Sequence, residues 1–249
     1  MNEKKSVGVK AYFNSKSQLA IEEINDDCVS IALVFQRTDA GEENERGVLM
    51  ATKVKADIDK FIPLTPHLAR RSTPPFILMG SGDYGDFEEV GDYANQYVAD
   101  VYNFYEDEEA VSLKPLRVYI CKVIRNAYIN RKKAYGVDLL IVSVAHGGPE
   151  IIRIKYNGEY HPCANYAVAG GFRTISESVE TGTQNTIGKG ISVRKKTLGK
   201  ETSIRKKALE ILKGFYDGGK IPNLEEAKSL ARDALALEED KGEVLFGEI

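Results

Sequence analysis

Apolar and polar positions follow two periods along the chain, and their order sorts the sequence into strand groups and helix pairs. Residues 28–36 (Cys-Val-Ser-Ile-Ala-Leu-Val-Phe-Gln) are apolar and β-branched, which predicts a buried strand. A polar stretch with Gly41 turns the chain, and residues 47–52 return as a second strand, giving a hairpin with a long acidic tip. Pro63, Pro66, Pro74 and Pro75 punctuate residues 55–75, which show no readable period. Phe76-Ile-Leu-Met79 reads as a third strand. A helix follows from about Glu88 to Tyr105, with Val90, Ala94, Tyr97, Val98 and Val101 on one face at a 3.6-residue period. After an acidic connector, Ser112 is placed to cap a second helix that runs to about residue 134, and Leu116, Ile120, Val123, Ile124 and Ala127 form its apolar stripe. Strands at 137–145, 150–156 and 159–168 are separated by Gly147-Gly148 and Asn157-Gly158, both tight-turn signals, which predicts an antiparallel meander. Helices at 204–216 and 224–238 and a terminal strand at 243–249 complete the order β-β-β, α-α, β-β-β, α-α, β.

Between these groups, residues 172–203 are rich in Ser, Thr, Gly and Lys and carry no period, so they read as an inserted polar, basic loop. No internal repeat and no linker divides the chain. It reads as a single domain over 1–249, with residues 1–27 as an N-terminal extension.

Charge narrows the class of function. Lys and Arg number 34 against 37 Asp and Glu, a net charge of −3, so no global field holds nucleic acid or an anionic membrane. No apolar run reaches the roughly 18 residues of a membrane span, and no apolar segment follows the N-terminal charges as a secretory signal requires. Cys28, Cys121 and Cys163 are too far apart for a zinc knuckle, and His67, His146 and His161 make no metal-ligand spacing. These features point to a cytoplasmic, reduced protein with neither cofactor nor metal.

Gly80-x-Gly82-x-x-Gly85 between a strand and a helix matches a dinucleotide fingerprint in pattern, with glycines that let a pyrophosphate approach a helix N-terminus. Its context argues otherwise. The helix runs into a second helix instead of a parallel strand carrying a ribose-binding acid, and Asp83 and Asp86 repel phosphate. A strand-to-helix turn is the favoured reading, with a nucleotide- or nucleic-acid-binding module as an alternative. Residues 189–207 carry Lys189, Arg194, Lys195, Lys196, Lys200, Arg205, Lys206 and Lys207 without an aromatic residue to stack on bases. A solvated surface, or one that meets an acidic partner, is expected there. Tyr93, Tyr97, Tyr102 and Tyr105 on one helix read as core and interface.

Three stretches carry a family resemblance: Tyr135-Gly-Val-Asp-Leu-Leu-Ile-Val-Ser-Val, then Gly148-Pro-Glu-Ile-Ile-Arg-Ile-Lys-Tyr-Asn-Gly-Glu-Tyr, then Ala167-Val-Ala-Gly-Gly171. With the tail (Ala208-Leu-Glu-Ile-Leu, Leu224-Glu-Glu-Ala-Lys-Ser-Leu-Ala, Gly242-Glu-Val-Leu-Phe) they are similar to subunits of the 20S proteasome and its bacterial relatives. The resemblance spans about 28–170 and 204–249. It implies an α+β fold of the Ntn-hydrolase class, a four-layer αββα sandwich, and assembly with itself or with related subunits into a ring. Tyr12-Phe-Asn-Ser-Lys-Ser-Gln-Leu-Ala-Ile is similar to the N-terminal segment of the family's non-catalytic outer-ring subunits.

The chemistry that the family implies is altered in this sequence. Active members expose an N-terminal threonine after a glycine, which unites hydroxyl nucleophile and amine base in one residue. Here the first strand begins at Cys28, preceded by Asp27. The carboxylate that closes the second strand of active members falls on Thr52 or Lys53, and the family lysine falls on Arg70 or Arg71. Arginine keeps the charge but does not carry a proton. The family's late Asp-x-x-Ser-Gly is absent around Glu239-Asp240-Lys241-Gly242. The expectation is a scaffold or non-canonical subunit. The alternative is an Ntn-type amide or peptide hydrolase, with Cys28 as nucleophile after processing and Arg70 or Arg71 holding its thiolate.

Overall fold

The computed structural model describes residues 11–13, 19–21, 29–37, 45–54, 61–64, 76–105, 111–129, 135–145, 148–170, 172–178, 194–201, 203–235 and 243–248. In chain order the elements are β1 (Ala11–Phe13), β2 (Leu19–Ile21), β3 (Val29–Gln36), β4 (Arg46–Val54), β5 (Phe61–Leu64) and β6 (Phe76–Gly82), then α1 (Tyr84–Tyr105) and α2 (Leu113–Ile129). There follow β7 (Val137–Ala145), β8 (Gly148–Ile154), β9 (Tyr160–Cys163), β10 (Tyr166–Gly170), β11 (Phe172–Ser178) and β12 (Arg194–Glu201), α3 (Ser203–Tyr216), α4 (Leu224–Ala234) and β13 (Glu243–Glu248). Two antiparallel sheets form the body. One has the order β10-β3-β4-β13 and the other β5-β6-β7-β8-β9.

Strand alternation builds the layers. A strand sends successive side chains to opposite faces, so a strand that is apolar throughout needs a packing partner on each side. In β3, Ile31, Leu33 and Phe35 pack with Ala208, Leu212, Ala227, Leu230 and Ala231 of α3 and α4. The intervening Ala32 and Val34 face Met79, Leu140, Val142 and Ile151 of the second sheet. That sheet turns Leu78, Leu139, Ile141 and Ile152 the other way, onto Val90, Ala94, Val98, Leu116, Ile120 and Ile124 of α1 and α2. The result is the four-layer αββα sandwich, with helices α1 and α2 over one sheet and α3 and α4 over the other. Each fully buried Leu, Ile or Met in these three cores contributes about 1.5–3 kcal/mol of apolar transfer.

The structure corrects the reading of the sequence in three places. The meander is two strands and part of a third: residues 159–168 divide into β9, which pairs with β8, and β10, which crosses to the other sheet and pairs with β3. The inserted loop at 172–203 contains an antiparallel ribbon, in which Phe172 is opposite Glu201 and Glu177 opposite Lys195. The proline-punctuated segment contains edge strand β5, which pairs with β6 through Phe61–Leu64. Pro63 is tolerated there because an edge strand need not donate on its outer side. Helix α4 opens on a full capping box: the Asn223 side chain accepts from the Glu226 N–H at 2.9 Å, and the Glu226 carboxylate accepts from the Asn223 N–H at 3.0 Å.

Candidate functional site

At one end of the sandwich, the start of β3, the end of β6 and the start of β7 meet the end of β10. Ser30 pairs with Thr52 on β4, Val29 with Gly170 on β10, and Ser81 with Asp138 on β7. Small and polar residues here replace the apolar ones that fill the centre of the stack. Three buried hydroxyls bridge the layers: Ser30 Oγ is 3.0 Å from Thr52 Oγ1 and 3.0 Å from Ser81 Oγ. Ser30 also donates to the Gly80 carbonyl at 3.0 Å. The Thr52 hydroxyl also lies within 3.5 Å of the Val29 carbonyl, so the three hydroxyls share their protons within one buried network.

Beside them sits a charged cluster. The Asp138 carboxylate, 2% exposed, takes two bonds from the Arg153 guanidinium: Nε to Oδ1 at 2.9 Å and Nη2 to Oδ2 at 2.7 Å. Its Oδ2 also accepts the Gly170 backbone N–H at 2.7 Å. Arg205, on the first turn of α3, donates from Nη1 to the Val168 and Gly170 carbonyls at 2.8 and 2.7 Å, with the same nitrogen 4.0 Å from Asp138 Oδ2. A carboxylate in this position is desolvated, and the paired guanidinium is what makes its charge tolerable. The cluster therefore fixes the backbone of Gly170, the residue paired with the first described residue of β3.

Of the sequence-derived site residues, Cys28, Arg70 and Arg71 lie outside the described residues. Thr52, one of the two residues on which the family carboxylate was expected to fall, is fully buried and bonded to Ser30. Lys53 follows it on β4, its backbone paired with Val244. Neither free cysteine among the described residues is activated. Burial pushes the Cys121 thiol up despite Arg117 and Arg125 nearby, and burial does the same to Cys163 against its hydrogen bond from the Arg153 backbone. His161 is exposed on β9, with its Nε2 3.9 Å from Glu159, and His146 lies outside the described residues. Among the described residues no group of His, Cys, Asp and Glu is arranged to hold a metal ion.

The glycine motif is a turn. Gly82 has φ of 130°, and a Cβ there would lie 2.0 Å from the Gly136 carbonyl oxygen. The Asp83 N–H donates to that same oxygen at 3.0 Å, and Asp83 Oδ1 caps the Asp86 N–H at 3.0 Å. Asp86 Oδ2 in turn accepts the Gly136 N–H at 2.8 Å. The helix N-terminus is thus supplied with the protein's own carboxylates. The basic segment also loses a member, because Arg205 is 3% exposed and directed inward, leaving Lys206 and Lys207 as the exposed residues of that turn.

Sequence inspection passed over Asp138, although a signal was present. It is the single carboxylate in an otherwise apolar strand, and such a group must find a cation or donors when the strand is buried.

An αββα stack of two antiparallel sheets, with its polar end at the start of β3, defines the Ntn-hydrolase class of fold. A family model described as proteasome subunit matches residues 45–193, more than half of the 249-residue chain, and the protein belongs to that family. No curated protein matches the sequence significantly.

Proposed function

We propose that this chain is a ring-assembling proteasome-like subunit that serves as scaffold or chamber wall and is not a standard threonine peptidase. The observation that carries this reading is the Ser30–Thr52–Ser81 cluster. Where the resemblance places the carboxylate that closes the second strand of active members, this chain has Thr52 or Lys53, and the Thr52 hydroxyl is buried and bonded to Ser30. A hydroxyl in that state neither orients a lysine nor takes a proton from a nucleophile. No helix among the described residues is long and apolar enough to cross a membrane.

The test combines intact mass, native size and hydrolysis of small fluorogenic peptides by the wild type and by Cys28→Ala. The expected result is an unprocessed chain of 27.6 kDa, an assembly much larger than a monomer, and no turnover that depends on Cys28. A mature chain beginning at Cys28, with turnover abolished by Cys28→Ala, would establish the hydrolase instead. A monomer at all concentrations would remove the ring.

A further inference from the structure

The inserted segment leaves the body where β3 enters it. Val29, the first described residue of β3, pairs with Gly170, the last residue of β10. After Gly171, Phe172 begins β11, which pairs with β12 and with no other strand among the described residues. The ribbon therefore keeps a free edge on β11, with backbone donors and acceptors open to a further strand.

The two strands are poorly matched in charge. They hold five Lys and Arg (Arg173, Arg194, Lys195, Lys196 and Lys200) against Glu177 and Glu201, in a chain whose net charge is −3. Arg173 stands directly opposite Lys200, and like charges in that position destabilise a strand pair. Lys196 and Arg194 stand opposite Ser176 and Ser178, so Lys195 alone has a carboxylate across from it, that of Glu177.

An acidic stretch lies immediately before β3. Glu22-Glu23-Ile24-Asn25-Asp26-Asp27 has four carboxylates and no cation, lies outside the described residues, and is separated from Val29 by Cys28 alone. Six extended residues span about 20 Å, close to the length of the seven-residue β11.

We infer that residues 22–27 dock on the free edge of β11 as an antiparallel third strand, continuing the β3–β10 register past Gly170. In that register Leu33 is opposite Tyr166 and Val29 opposite Gly170, so its continuation sets Asp26 beside Arg173 and Ile24 beside Ile175. Asp26 supplies the opposite charge that the Arg173–Lys200 pair lacks, and the two isoleucines share its face. Glu23 comes level with Ser176 and, across it, Lys196. The end rows set Glu22 beside Glu177 and Asp27 beside Phe172 and add no favourable pair, so the middle rows carry the contact. Backbone pairing gives the affinity and charge selects the register. The chain entering β3 is thereby held beside the ribbon at the polar end. This inference is independent of ring assembly.

The experiment measures amide hydrogen exchange on the full chain by mass spectrometry, with β6 and β7 as the internal control of folding. In the wild type, peptides covering 22–27 are expected to exchange at least about tenfold more slowly than an unstructured chain. Asp26→Arg alone and Arg173→Asp alone are each expected to lose that protection while β6 and β7 keep theirs. Arg173→Asp also places opposite charges across from each other at Lys200, so its loss of protection reports the segment and not a damaged ribbon. The double variant restores opposite charges in the same row and is expected to recover protection. Wild-type residues 22–27 that exchange at the unstructured rate overturn the inference. Protection that both single variants leave intact overturns it too, as does a double variant no better protected than either. If Asp26→Arg unfolds the control strands, Asp26→Asn takes its place, with a partial loss of protection expected and an unchanged rate counting against the inference.

Discussion

Asp138 accepts the Gly170 backbone N–H at 2.7 Å, and through that bond the five-stranded sheet holds the edge strand of the four-stranded one. Arg153 on β8 and Arg205 on α3 complete the joint, so one carboxylate serves three of the four layers. Removing it takes away the buried acceptor of a bidentate guanidinium pair and of the Gly170 amide. Asp138→Ala is expected to cost about 3 kcal/mol or more of stability in urea denaturation. Asp138→Asn, which keeps an oxygen for Gly170, is expected to fall between that variant and the wild type. A loss below about 1 kcal/mol for the alanine variant would mean that the joint carries little.

The glycines of the Gly80 turn are expected to respond unequally. At Gly82 a methyl group meets both a positive φ and a carbonyl oxygen at 2.0 Å, so Gly82→Ala should destabilise by about 3 kcal/mol or prevent folding. At Gly85, in the first turn of α1, the new Cβ meets only Asp83 Oδ1 at 3.4 Å. Gly85→Ala should be neutral, or stabilising by up to about 1 kcal/mol through helix propensity. Melting temperatures of the two variants check this inequality.

Tyr216 supplies a pH dependence. Its hydroxyl donates to the Val34 carbonyl at 2.7 Å, and burial raises its pKa above the usual phenol value. Below about pH 10 the phenol is protonated in both folded and unfolded chains and its contribution is complete. Above that, the unfolded chain loses the proton more readily, so stability falls as pH rises. Tyr216→Phe should cost about 1 kcal/mol at neutral pH and flatten the alkaline decline seen in denaturation between about pH 9 and 11. Equal alkaline slopes in both proteins would count against this assignment.

The Asn223–Glu226 capping box should be worth about 1 kcal/mol, read as the loss on Asn223→Ala in chemical denaturation. Asn223→Asp, which keeps the accepting oxygen and adds charge at the helix N-terminus, should remain close to the wild type.

Side-chain periodicity exposes an element when one face of it is buried, and this explains what was legible here. Strands β3, β6 and β7 are packed on both faces and read as apolar runs. Helices α1 and α2 keep a stripe, and their order with the strand groups was enough to indicate the four-layer stack. The change of sheet between Cys163 and Tyr166 was not legible, although Pro162 and Asn165 lie at the break, because residue types do not say which sheet a segment pairs with. What fixes the crossing is a backbone bond, Val34 N–H to the Asn165 carbonyl at 2.8 Å. The ribbon of β11 and β12 is hidden for a related reason: its register rests on backbone pairing between segments without apolar alternation. At the polar end, Thr52 was noticed as a departure from the family pattern. Ser30 and Ser81 were not, since serine within a strand has no distinctive spacing. The pairing of Asp138 with Arg153 and Arg205 required the fold.

The two sheets also differ in when they can be completed. The five-stranded sheet is stitched in chain order, each strand to the next, by residues between Phe61 and Cys163. The four-stranded sheet joins strands far apart in sequence, with Ala32 beside Ala167 and Ala51 beside Phe246. On a ribosome, one half of the sandwich has all its strands while the other still waits for β13. Until β13 emerges, β4 is a bare edge able to pair with any strand it meets, and that six-residue strand is what ends the exposure.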